Sequence, residues 1–252
     1  MLKFFRKIRL KLLSKGKTVE YLKYAFGEIF LVVIGILIAL QINNWNEQRK
    51  VNKQELQLLK QLQSDVTSNL NEVVELKKRL EINKQGVDSL IVRIDQKQYD
   101  MLFPIYLAQT LRKNDFNNAS SGYHLIQNGK ASLISDETVL KSVLNIYEND
   151  LPNIIDRQSD MRNSIDYIQG HFVNKLFTRA QNEMQMKFND LDVVPTDLFE
   201  PIDYNAVTEN IEFKNTFYQL GKVVEARLAY LSNTEIKLNK TITLLNSKTG
   251  LE

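Results

Sequence analysis

The chain has 252 residues, 43% of them hydrophobic, enough for one sizeable domain or a smaller one with appendages and too apolar for a disordered polymer. Nine Gly and four Pro leave room for long helices, and the lack of cysteine excludes disulfides, thiolate metal sites and Cys nucleophiles. The net charge of +3 is local: residues 1–28 hold eight Lys/Arg against Glu20 and Glu28, so of 33 bases and 30 acids the remainder keeps 25 and 28, without the clustered bases and interleaved aromatics of a nucleic-acid interface.

Residues 1–23 read as a basic cytoplasmic tail. Leu2, Phe5, Ile8, Leu12 and Leu13 fall near helical spacing among Lys and Arg, which fits an amphipathic segment on an anionic leaflet; lysines that merely fix topology fit equally. Residues 24–42 read as a transmembrane anchor. From Tyr24 to Leu40 the only ionisable group besides the tyrosine is Glu28, and at ~1.5 Å per residue this stretch covers roughly 25 Å, the short end of a membrane-crossing helix. Bases precede it, while Asn43, Asn44, Trp45 and Asn46 follow it and put an interfacial aromatic among polar groups. Glu28 lies at the end where a carboxylate can reach headgroup water, so it reads as a boundary residue, with a functional or helix-pairing role as the alternative. Gly35 and Ala39 form one small-xxx-small pair that would let two such helices approach. The long basic region, and Leu40, Gln41, Ile42 and Asn43 in place of a small-x-small cleavage site, point to an uncleaved signal anchor. The excess of bases before the helix puts the N-terminus in the cytoplasm and residues 43–252 on the far side.

Beyond the anchor the pattern is helical. Leu59, Val66, Val73, Leu80, Val87 and Ile94 recur every seven residues, with Leu62, Asn69, Leu76, Asn83 and Leu90 three positions further on. The spacing predicts a helix paired along its length, by a partner chain or by its own bundle, with Leu59, Val66, Val73 and Leu80 as the interaction seam. Asn69 and Asn83 could fix register from inside the seam; the expectation is that they meet water at its edge. Gly86 is expected to loosen the helix.

Residues 120–148 read as a short helix, a turn at Asn128-Gly129 and a second helix capped by Asp136, whose single base, Lys141, argues against a DNA-reading role. A helix opened by Pro152 carries Ile155, Met161, Ile165, Ile168, Phe172, Leu176 and Ala180 on one stripe, and Pro195 and Pro201 bracket the link to the last helix. That helix repeats the heptad with Phe217, Val224, Leu231, Leu238 and Leu245, supported by Leu220, Leu228 and Ile242, and is expected to fold back along the first. No strand alternation is sustained. The fold expected is all-α: a single N-terminal transmembrane helix followed by a bundle of long helices with coiled-coil-like seams.

The run FGEIFLVVIGILIALQINNWNEQRK, with FFRKIRLKLL before it and SGYHLIQNGKASLISDETVLKSVLNIYE far downstream, resembles an uncharacterised domain-of-unknown-function family of single-pass membrane proteins common in Bacteroidota. The resemblance implies the bacterial inner membrane and a periplasmic location for residues 43–252. It supplies no functional residues.

The residues themselves offer little chemistry. His124 and His171 each lack a second His or a Glu at i+3 or i+4, Ser121-Gly122 and Ser135-Asp136 are turn and cap sequences, and Asp156 and Asp160 lie on polar helix faces. No phosphate loop, dinucleotide fingerprint or nucleophile elbow occurs, and no cofactor is called for. Three function classes remain, in order: a membrane-anchored interaction or scaffold module binding itself or an envelope protein; a ligand-sensing bundle working with a partner membrane protein; an enzyme with an interhelical site.

Overall fold

The computed structural model describes residues 18–179 and 198–250; the amphipathic pattern of Leu2 to Leu13, Ala180 and Pro195 lie outside them. The chain divides into two compact units, 1–55 and 56–252.

In the first unit the described residues belong to helix α1 (Thr18–Asp95). Its apolar run meets the length and composition needed to cross a membrane, and none of that window is buried within the protein. Phe26, Ile29, Phe30, Leu31, Leu37 and Trp45 are all more than half exposed.

The second unit contains α1 from Leu56 onward, α2 (Phe103–Thr110), α3 (Ser121–Gln127), α4 (Glu137–Asn145), α5 (Leu151–Ile168), α6 (Asn174–Leu176), α7 (Tyr204–Thr208) and α8 (Ile211–Thr249). Its side-chain bonds trace four legs that run up, down, up and down. The first is α1. The second, 103–127, descends beside it: Arg93 lies over the Tyr106 ring, Asn83 bonds the Gln109 carbonyl, and Asp65 meets Ser121 and Gly122. The third, 137–176, is one helical run interrupted by π-turns at Ile146–Asp150 and Gln169–Val173. The fourth, α8, runs antiparallel to the first, since its partners fall in number as those of α1 rise: Gln63 with Asn246, Lys77 with Glu235, Asp95 with Tyr218.

Both heptad series are buried. Leu59, Val66, Val73, Leu80, Val87 and Ile94 are at most 5% exposed, and Phe217, Val224, Leu231, Leu238 and Leu245 at most 1%. The first helix is thus paired by its own bundle. On the third leg Met161, Ile165, Ile168 and Phe172 face the core, but Ile155 is exposed and Ile154 takes its place, because the position seven residues before Met161 is 154.

Local chemistry sets the boundaries as the sequence reading expected. Gly129 turns the chain with φ 89°, and the Asp136 carboxylate accepts from the amides of Thr138 and Val139 at the start of α4. Among the described residues the strands are Phe177–Arg179 and Phe199–Pro201, paired antiparallel, so Pro201 ends a short strand. Gly86 does not loosen α1. A Cβ there would lie 2.9 Å from the Thr110 hydroxyl and 3.0 Å from the Tyr106 carbonyl, so the glycine lets α2 pack directly on the helix.

Candidate functional site

The second leg explains most of the buried polarity. Between α2 and α3 residues 111–120 form neither helix nor strand inside a helical bundle, so apart from the amides of Leu111 and Arg112 and the carbonyl of Ser120, which bond to the flanking helices, their backbone groups have neither a helix nor a sheet to bond to. Side chains from the other three legs serve them. Asn69 donates to the Ala119 carbonyl at 2.8 Å and accepts from the Ala119 amide at 2.7 Å. Asn83 donates to the carbonyls of Gln109, Thr110 and Arg112 at 2.9, 3.3 and 3.1 Å, and its own oxygen accepts from Asn114. The Asp65 carboxylate accepts from the Gly122 amide at 2.6 Å and from Ser121. Gln158 accepts from the Phe116 amide, Tyr147 donates to the Ala119 carbonyl, and Arg227 donates to the Asn114 carbonyl at 2.9 Å. Residues 111–120 are therefore a strap clasped by side chains.

This corrects the reading of Asn69 and Asn83, which are 0% and 1% exposed and meet the strap instead of water. Burial is favourable because each makes several hydrogen bonds in place of solvent.

Arg227 is 2% exposed. Besides the Asn114 carbonyl, its guanidinium reaches the Met161 sulfur at 3.3 Å, and its Nε has no partner. Burial pulls its pKa down to about 10, against the pull of Asp115, so it stays charged at neutral pH. Gln109, 1% exposed, has neither side-chain amide atom bonded. Sequence reasoning passed over Arg227, although its position was legible: it stands one heptad after Leu220 and before Thr234 and Thr241, all buried.

The residues singled out from the sequence fall into two groups. Glu28, Gly35, Ala39 and Trp45 lie on the exposed first unit of α1, and steps of seven and four residues bring Glu28, Gly35 and Ala39 to one helix face. Leu59, Val66, Val73 and Leu80 lie in the core of the second unit, their apolar surface already covered by the same chain.

An open groove of about 820 Å³ lies between α5 and α8, lined by Asn163, Tyr167, Glu212, Asn215 and Gln219 over Leu220. The Tyr167 hydroxyl donates to Glu212 at 2.8 Å, and that carboxylate, ahead of partial burial, raises the phenol pKa. His171 stacks on the Tyr167 ring at 4.1 Å and is exposed. The hydroxyls of Ser164 and Thr216 donate to carbonyls of their own helices. His124, also exposed, lies between Ser120 and Gln127. Among the described residues no three His, Asp or Glu converge as a metal site.

Residues 28–202 match the model of a family of unknown function, DUF6090. No curated protein and no solved structure matches the chain.

Proposed function

The chain belongs to DUF6090, a family of unknown function, so its role has to be read from its own residues, and from these we propose that it is a membrane-anchored helical interaction module. In this reading residues 24–42 are an uncleaved signal anchor in the bacterial inner membrane, the N-terminus is cytoplasmic and residues 43–252 stand in the periplasm. One observation carries it: no residue in the apolar run of α1 is buried by the protein, whereas the heptad seam beyond it is closed by the chain's own legs. Apolar surface left uncovered in that way belongs in lipid or against another helix. Association therefore runs through the anchor face that carries Glu28, Gly35 and Ala39, with a second copy as the partner. Confinement to the membrane raises encounter enough for a small contact to hold.

The chain contains no cysteine, so single cysteines report without background. Gly35→Cys and Ala39→Cys should form disulfide dimers on oxidation of intact membranes, while Leu37→Cys, on the opposite face, should not. Equal cross-linking at all three positions, or none, refutes the pairing face. A reporter fused after Glu252 should be active only in the periplasm; activity in the cytoplasm reverses the topology. The groove between α5 and α8 favours ligand sensing as a second reading, and a small molecule co-purifying there with monomeric protein would put it first.

A further inference from the structure

The groove between α5 and α8 is lined by side chains whose hydrogen-bonding capacity is unused. The carboxamides of Asn163, Asn215 and Gln219 make no hydrogen bond among the described residues. The other polar groups there are engaged: Ser164 and Thr216 bond carbonyls of their own helices, and the Tyr167 hydroxyl donates to Glu212 at 2.8 Å. Each free carboxamide offers an acceptor oxygen and two N–H donors. On α8, Glu212, Asn215 and Gln219 stand three and four residues apart and share a face; on α5, Asn163 and Tyr167, four apart, share another. From 212 to 219 the groove follows the helix for roughly 10 Å, room for two linked sugar rings.

This lining narrows the class of ligand. Among the described residues no Lys or Arg lines the groove, so an anion finds no counter-charge, and a cation meets one carboxylate already bonded to a phenol. An apolar ligand would strip water from three carboxamides and return no hydrogen bond. A peptide strand is read through side-chain pockets spaced along its length. Here the apolar surface lies at one end, in the Tyr167 ring, 40% exposed and backed by His171 at 4.1 Å, and in Ile211, 74% exposed. Hydroxyl groups suit the rest, because each both donates and accepts, and two on neighbouring ring carbons can engage the oxygen and the N–H of one carboxamide. We infer that the groove binds a neutral oligosaccharide, with Asn163, Asn215 and Gln219 holding its hydroxyls and the Tyr167 ring covering an apolar C–H face. The site lies on α5 and α8 alone, so it does not depend on the pairing of anchors. The groove is open and each new hydrogen bond replaces one to water, which sets a modest affinity, with a Kd of about 0.1–1 mM.

The test is titration calorimetry on the full chain in micelles of an amine-oxide detergent, which has no sugar headgroup, with chitotetraose and maltotetraose as probes and tetraalanine as the peptide control. At least one tetrasaccharide should bind in that range, and tetraalanine should give no heat of binding. Asn215→Ala combined with Gln219→Ala should weaken the sugar at least about tenfold. Both residues are exposed, so the melting temperature of the double variant should match that of the wild type. Failure of both tetrasaccharides to bind overturns the inference, as does undiminished binding in the double variant. Tetraalanine binding as tightly as the sugars would give the groove to peptides and overturn it as well.

Discussion

Asp136 joins two distant parts of the chain, since its carboxylate caps α4 and pairs with Lys248 in the last turn of α8 at 2.7 Å. Lys248, and after it the amides of Val139 and Thr138, hold the carboxyl at about 2. Because that value lies below the ordinary 3.8, the group contributes stability that is complete above about pH 4 and is lost as pH falls towards 2. Asp136→Asn keeps a capping side chain and removes the charge. It should melt below the wild type at neutral pH, with the gap closing as both are acidified; a gap that persists at about pH 2 would assign the effect to something other than charge. Asn83 makes a different kind of contribution. Asn83→Leu is close in volume but strips the donor from three carbonyls, and should cost roughly 2–4 kcal/mol in urea unfolding. A loss below about 1 kcal/mol would mean that water already serves those carbonyls.

Among the elements, the contact of α2 with α1 turns on one missing methyl. In a free-standing helix Gly→Ala is stabilising by up to about 1 kcal/mol. At position 86 the sign should reverse, because the new Cβ would press on the Thr110 hydroxyl and the Tyr106 backbone, and a loss of about 1–3 kcal/mol is expected by chemical denaturation. Stabilisation of Gly86→Ala would show that α2 moves aside freely. The same contrast divides what was legible in the sequence from what was not. The first and last legs were visible as heptads because their burial repeats along one face, and the turn at Gly129 and the cap at Asp136 were visible because their chemistry is local. Of the second leg only its last short helix was; the strap has no period of its own, and the side chains that hold it stand up to 113 positions away, as Arg227 does from Asn114. Asn69 and Asn83 looked like edge residues because a seam position was judged by hydrophobicity alone, without the unbonded backbone that lies opposite.

For the molecule as a whole, closure of the seam decides which surfaces are left for other proteins. Val73 and Leu80 are 0% exposed, so Val73→Asp and Leu80→Asp would each place a carboxylate in the core and should cost several kcal/mol, seen as loss of the cooperative melt. Folding that is untouched by either change would reopen the seam as a site for partners. Exposed substitutions on the anchor face should act oppositely, weakening cross-linking and leaving the melt of the second unit in place. The strap has a consequence for how the sequence can drift. In a helix or a sheet each residue brings its own backbone partners, whereas here the partners are side chains fixed on the other legs. Arg112, Asn117 and Asn118 are exposed, while Asn69, Asn83, Gln158 and Arg227 cannot change without releasing a peptide group. In a saturation library sorted for folded protein, those outward strap positions should accept nearly any residue, and the four receivers almost none. At those outward positions the path of the strap would then be dictated from elsewhere in the chain, and its own spelling would matter little.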